Sequence, residues 1–318
     1  MQIVDFTEDH IEQASMIARE NYREERIHVP VLPSVNTFPE LKHFAKNNLG
    51  VASFENSHML GFLCCYSPFE DAFRTTGVKG TFSPLHAHAA LRENRERIYK
   101  YLYQSAAEKW VKAGIRSHAI ALYAHDTQAI NSFFINSFGS RTMEAIRPME
   151  KIQCKNTSGY SYLELEAEGK ADTLELKNLL IDHLANSPIF MSVPQMYEKD
   201  LETQYERRKP RYFVASYENR TVAWLEITKN GEDFVGDDRS VQNICGAYCL
   251  PEHRGKDVFQ NLLNCAIERL KRDGYSCLSV DFECFNPTAY GFWLKYFNPY
   301  VHSVVRRIDD KIFSDSKE

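Results

Sequence analysis

CGAYCLPEHRGKDVFQNLLNCAIERLKRDGYSCLSVDFECFNPTAYGFWLKYFN, residues 245–298, decides the fold. Its first six residues read as the end of a strand, Pro251 stops it, and a basic turn, Glu252–Lys256, opens a helix. Val258, Leu262, Ala266 and Leu270 recur every four residues, so the helix carries an apolar stripe and packs on a sheet. Gly274 closes it, as a glycine just past a helix does. In the strand over 276–284, Leu278, Val280, Phe282 and Cys284 share one face, and Ser279, Asp281 and Glu283 the other. A short helix over 286–297 and a strand over 299–308 follow. A strand, a Gly-bearing basic turn and a helix N-terminus together make an anion site, because the first N–H groups of a helix lack partners and its dipole is positive there. Arg254 and Lys256 add charge that suits a diphosphate, although basic residues at a helix start are often just solvated.

Upstream, the spacing predicts a strand over 161–167, helices over 171–187 and 194–207, and strands over 211–218, 221–229 and 241–250. The same order runs through the first half of the chain. Val51–Asn56 reads VASFEN and Val214–Asn219 reads VASYEN, an offset of 163. Gly114 matches Gly274, and Asp126-x-x-Ala129 matches Asn286-x-x-Ala289, both at 160. Several matches in one order at nearly one offset mean duplication. The polar stretch KIQCKNTSG, 151–159, is the seam. The expected domains are therefore 1–150 and 160–318. Each is of mixed α/β class, one sheet with helices on both faces.

At this point the second unit resembles the GCN5-related N-acetyltransferase (GNAT) family, and the chain resembles a tandem member of it. The family's acetyl-CoA signature, Q/R-x-x-G-x-G/A, is similar to Arg254-Gly255-Lys256-Asp257-Val258-Phe259. Its second signature, an Asn with Ala three residues on and an aromatic helix, resembles Asn286 through Trp293. The resemblance implies that the fourth and fifth strands splay apart around the pantetheine arm. Ala247, Tyr248 and Cys249 would lie along the arm, Gly255 to Gln260 around the diphosphate, and Asn286 would bond the pantetheine. A backbone N–H of the fourth strand would polarise the thioester carbonyl. Three residues depart from the pattern. Asp257 and Phe259 stand where the signature has small residues, so the loop is displaced or CoA binding is weakened. Trp293 stands where many members have an acidic tyrosine, and an indole cannot supply that proton.

An alkyl ammonium must lose a proton before it attacks. Some family members carry a glutamate five residues before the Asn, where this chain has Asp281, and Glu283 is one strand step nearer the slot. Both are candidate bases, set against plain solvated carboxylates. The first unit is poorer in these parts, with Asp126, Ala121 and Phe133 matching Asn286, Asp281 and Trp293. Its segment SPLHAHAALR, 83–92, reads as a longer loop. His86 and His88, with His125, invite a metal reading, but packing or capping is favoured and no metal is expected.

The whole chain has 318 residues, 43% hydrophobic and 25% charged, with a net charge of −5. No block of five like charges gives a footprint for nucleic acid or anionic lipid. The longest apolar run, Met59–Tyr66, has eight residues, against the ~20 that span a bilayer. Eight cysteines without a C-x-x-C pair read as reduced thiols. A soluble cytoplasmic protein is expected. The expected activity is acetyl-CoA-dependent N-acetyl transfer to a small-molecule or protein amine. The alternative is a non-catalytic protein of this fold that binds CoA as a sensor or acts through protein contacts.

Overall fold

The strand–helix order of the first repeat returns in the second in the computed structural model, which describes residues 1–35 and 38–313. The first repeat runs β1 (Gln2–Asp5), α1 (Ile11–His28), α2 (Lys42–Lys46), β2 (Val51–Glu55) and β3 (His58–Leu63). It continues with β4 (Gly80–Ser83), β5 (His88–Ala90), α3 (Arg95–Lys112), β6 (Ser117–Tyr123), α4 (Thr127–Ile135) and β7 (Gly139–Pro148). The second runs β8 (Tyr160–Glu164), α5 (Leu174–Ala185), α6 (Glu198–Arg208), β9 (Arg211–Tyr217) and β10 (Arg220–Thr228). It ends with β11 (Val241–Cys249), α7 (Val258–Arg272), β12 (Cys277–Glu283), α8 (Pro287–Tyr296) and β13 (Asn298–Arg307). The mixed α/β class is the expected one. Among the described residues no helix is long and apolar enough to cross a membrane.

The duplication is written in turns and caps as well as in letters. Gly114 and Gly274 both turn left-handed, at φ of 76° and 91°. Past each, Ile115 N–H reaches Trp110 O and Tyr275 N–H reaches Leu270 O, closing α3 and α7 alike. Asp126 and Asn286 each accept the N–H of the alanine three residues on. One match needs correcting. The hairpin turns fall on Asn56-Ser57 and on Glu218-Asn219, all four left-handed, and the β-bulges fall at Leu60 and Val222. Turn and bulge both lie 162 apart, so the offset of 163 between VASFEN and VASYEN is one residue out of step with the hairpins. The turn geometry fixes the register there.

The contacts divide the chain differently from its sequence halves. One unit is Met1–Met143 with the segment from Pro299 on, and the other is Glu144–Asn298. β13 pairs antiparallel with β6, from Val301 opposite Tyr123 to Arg307 opposite Ser117. In the other unit the Glu144–Pro148 part of β7 lies beside β12, and Met149 N–H donates to Ser276 O at 2.8 Å. The expected division at 151–159 had left the last strand with the second repeat. Because both repeats have one strand order, the last strand of either fits the sheet of the other, and exchanging equivalent elements costs little.

In the second unit the sheet order is β12-β11-β10-β9-β8. Helix α7 buries Val258, Leu262, Ala266 and Leu270, the expected stripe, against β8, β9 and β10. Parallel pairing of β11 with β12 runs from Val241–Cys277 to Ile244–Val280 and stops. On the other side of β11, Gly246 faces Glu226 and Ile244 faces Ile227, leaving Cys245 as an extra, bulged residue. A bulge sharpens local twist, and here it turns β11 away from β12. Val241–Ile244 are buried and Cys245–Tyr248 are half-exposed, as a strand that has lost a neighbour must be. A Cβ on Gly246 would lie 2.5 Å from the Trp224 ring, so the fork needs glycine there.

Candidate functional site

Along the open arm of the fork lies a cleft of 350 Å³. From β11 it receives Ala247, Tyr248 and Cys249, and from the turn before α7 it receives Arg254 and Gly255. Phe259 and Gln260 of α7 line it together with Asn286 and Trp293. Thus most of the residues expected around acetyl-CoA share one cavity. Gly255 is left-handed, at φ 71°, with no atom within 4 Å of where a Cβ would sit. This is backbone a bulky anion can approach. The N–H groups of the first α7 turn lie beyond reach of intrahelical carbonyls. Arg254 Nε donates to Cys249 O at 2.8 Å, and its guanidinium sits 5.1 Å from the Tyr248 ring, leaving charge at the helix start. Lys256 is exposed beside it.

Three expected cofactor residues stand elsewhere. Lys256 does not line the cavity, and Val258 is buried in the core. Asp257 is left-handed at φ 59°, and its carboxylate accepts the Lys155 N–H at 3.0 Å. It anchors the 151–159 seam, so this carboxylate is turned to Lys155. Phe259 packs edge-on to Phe292 and Trp293, centroids 5.2 and 5.9 Å away, as part of an aromatic wall. Trp293 is itself buried. Asn286 Oδ1 accepts from Ala289 N–H and from the Thr288 hydroxyl, and His183 Nε2 lies 3.4 Å from the same oxygen.

At the base of the fork is a second cleft, of 410 Å³. Cys245, Ser279 and the exposed Asp281 line it, as do Arg207 and Arg208 at the end of α6. Buried Asn243 holds one wall, donating to Lys229 O and Gly236 O and accepting from Ser279. Of the two candidate bases, Asp281 lies in this cleft, while Glu283 is half-buried further along β12 and lines neither. Burial pushes the Cys245 thiol up to about 12, and the charge on Glu226 adds to the shift. Burial likewise pushes Cys249 up to about 11. Both thiols at the fork are therefore protonated at neutral pH.

Residues 180–298 match the model of the acetyltransferase (GNAT) family, ending at the last residue of the second unit. The second unit is a GNAT domain. A GCN5-related N-acetyltransferase from Sphaerobacter thermophilus has a similar fold, with a TM-score of 0.58 at 7% identity, covering 96% of this chain and 95% of that one. A fungal glucosamine N-acetyltransferase region of a multi-domain β-N-acetylglucosaminidase aligns at 0.51 and 11% identity, covering 96% of this chain and 38% of that one. A tandem GNAT protein from the clavulanic acid biosynthesis pathway aligns at 0.48 and 12%, covering 96% and 98%. No curated protein sequence matches the chain.

The first repeat departs from the GNAT domain at the equivalent place. Residues 83–92 are not the long loop expected. They are a fourth strand broken by a 3₁₀ turn at Leu85–Ala87, with β4 parallel to β6 and β5 antiparallel to β3. Here the fork is plugged. His88 Nε2 reaches Ala121 O at 2.6 Å and its Nδ1 lies 2.9 Å from the Tyr99 hydroxyl. Burial pushes this histidine down to about 4. It is neutral, so it donates to Ala121 and accepts from Tyr99. The buried Asn21 amide satisfies both the N–H and the carbonyl of Ala90. Arg95, 4% exposed, bonds Asp126 at 3.0 Å and Glu24 at 2.7 Å where the GNAT domain keeps an open cavity beside Asn286.

His125 Nδ1 lies 2.8 Å from Glu25 Oε1, and His125 stacks on His28. Burial pushes Glu25 up to about 7 from 4.5, against the opposing pull of His125. A carboxyl raised in this way stabilises the fold fully below about pH 4.5, and that contribution is lost as pH rises through about 7. Glu25→Gln is expected to flatten stability over that window, read as urea midpoints at several pH values. An unchanged slope would remove Glu25 as the cause.

His183 was not singled out from the sequence. It sits on α5, about a hundred residues before Asn286, in no motif. Its only local signal is a histidine between Asp182 and Leu184 near the end of α5.

Proposed function

We propose that the GNAT domain transfers an acetyl group from acetyl-CoA to a small amine, which attacks the thioester directly. The observation that carries this reading is the fork, with a cavity and a cationic helix start along its arm and a second cavity at its base. Arg254, the open backbone at Gly255 and the first N–H groups of α7 hold the diphosphate. The unpaired edge of β11 from Gly246 to Cys249 accepts the pantetheine arm, and an N–H at the bulge polarises the thioester carbonyl. Asn286 and His183 bond the arm near the sulfur. Asp281 takes the ammonium proton from the acceptor at the fork base. Cys245 and Cys249, both protonated, offer no thiolate for a covalent acyl-enzyme. Trp293 has no acid proton, so His183, lining the same cavity, donates to the departing thiolate.

Titration calorimetry with acetyl-CoA, then thiol release over an amine panel, tests the reading. Binding with turnover is the expected result, and the Arg254→Gln variant should weaken binding. Binding without turnover would favour a CoA sensor, the reading that Trp293 supports. Failure to bind would sink both. The first repeat, its fork plugged by His88, serves as support, and a second equivalent of acetyl-CoA bound would contradict that.

A further inference from the structure

The cleft at the fork base is open to a closer chemical reading, which rests on the acetyl transfer proposed above. Its charges come as two sets. Arg207 and Arg208 stand together at the end of α6, and neither forms an ion pair among the described residues. Asp281, Glu144 and Glu232 are the acidic set lining the same cleft. Basic residues at a helix C-terminus ordinarily answer only to the helix dipole and water. These two instead line a 410 Å³ cavity together with the bulged Cys245. That volume suits a small molecule.

We infer that the acceptor is a small zwitterion of amino-acid type, whose ammonium faces Asp281 and whose carboxylate is gripped by Arg207 and Arg208. A polycation would bring no anion to Arg207 and Arg208 and would leave that pair unanswered. A neutral amine would leave both guanidinium groups to water and gain nothing from them. An amino acid brings a carboxylate to the arginines and an ammonium to Asp281, and arginine pairs with carboxylate in a two-pronged geometry. In the transfer, Asp281 removes one proton from the ammonium and the freed amine attacks the carbonyl carbon. The N–C bond forms, the C–S bond breaks, and the nitrogen gives up its second proton. One of the two protons ends on the CoA thiol and the other goes to solvent, leaving an N-acetylamino acid and CoA.

The test uses the full chain and matched pairs of acceptors, the twenty amino acids and their carboxamides, with spermidine and glucosamine alongside. Thiol release gives kcat/KM, and calorimetry gives the affinity for each amine without turnover. One or more amino acids should exceed their own amides by roughly 10- to 100-fold in both readouts, the loss expected for a charge-assisted bond. Arg207→Gln with Arg208→Gln should erase that gap while leaving acetyl-CoA affinity unchanged. Both residues are exposed, so the variant is expected to fold, and acetyl-CoA binding doubles as the check. Equal rates with acid and amide, or preference for spermidine or glucosamine, would overturn the zwitterion while keeping the acetyltransferase. Loss of acetyl-CoA binding in the parent chain would overturn both.

Discussion

Lys177→Ala is expected to destabilise the second unit by about 3–5 kcal/mol, because it strands a buried carboxylate. The Lys177 ammonium and Glu226 carboxylate form an ion pair with side chains 4% and 6% exposed. The ammonium also lies 4.9 Å from the Trp224 ring and 5.0 Å from the Tyr212 ring, with Gln204 Oε1 at 3.4 Å. Removing the cation leaves Glu226 with no counter-charge in a low-dielectric site. Replacing both residues by methionine is expected to be neutral or to stabilise by about 1–4 kcal/mol. Denaturant unfolding at pH 8 reads both. A single variant as stable as the parent at pH 8 would show that water reaches Glu226. The damage should also reach the fork, since the Trp224 ring clamped by Lys177 is the surface over which Gly246 bends.

Asp281→Asn should lower kcat by about 10²–10⁴, the span general-base removal usually costs. Acetyl-CoA affinity should stay within about twofold, because Asp281 lies in the cleft at the fork base and not along the arm. The acid limb of the pH profile should vanish with it. Glu283→Gln, one step further along β12 and lining neither cleft, should lose less than about tenfold. If the double amide variant kept full turnover and its acid limb, neither carboxylate would be the base. An ordered water on backbone carbonyls would then take the role.

How far the sequence could be read follows from what each feature depends on. The second-repeat elements lie within a few residues of their expected bounds, because apolar spacing, Pro251 and Gly274 act locally. The gathering of Tyr248, Arg254, Phe259 and Asn286 in one cavity is what the family resemblance implies, since motif order alone does not bring distant segments together. The fork itself was legible only through resemblance, since it arises from a bulge at Cys245 set by pairing with β10, and register leaves no local trace. Asp257 looked like an obstacle because spacing gives position without side-chain direction, and its carboxylate turns to the seam. The break at Leu85–Ala87 was read as a loop because three-residue strands are too short to show a period. His183 was invisible because α5 meets α8 only through the fold.

The exchanged last strands change what a half of this chain can be. A fragment cut at the seam would carry β7 or β13 into a unit whose sheet was built around the other. The repeat whose fork is plugged therefore cannot simply be discarded by deletion. Each copy is the other's missing edge, and removing one exposes raw backbone in the survivor. Duplication followed by such an exchange acts as a ratchet: point changes that erode the plugged copy are tolerated, but its loss is not. A lineage that inherits this arrangement keeps two copies for the sake of one site.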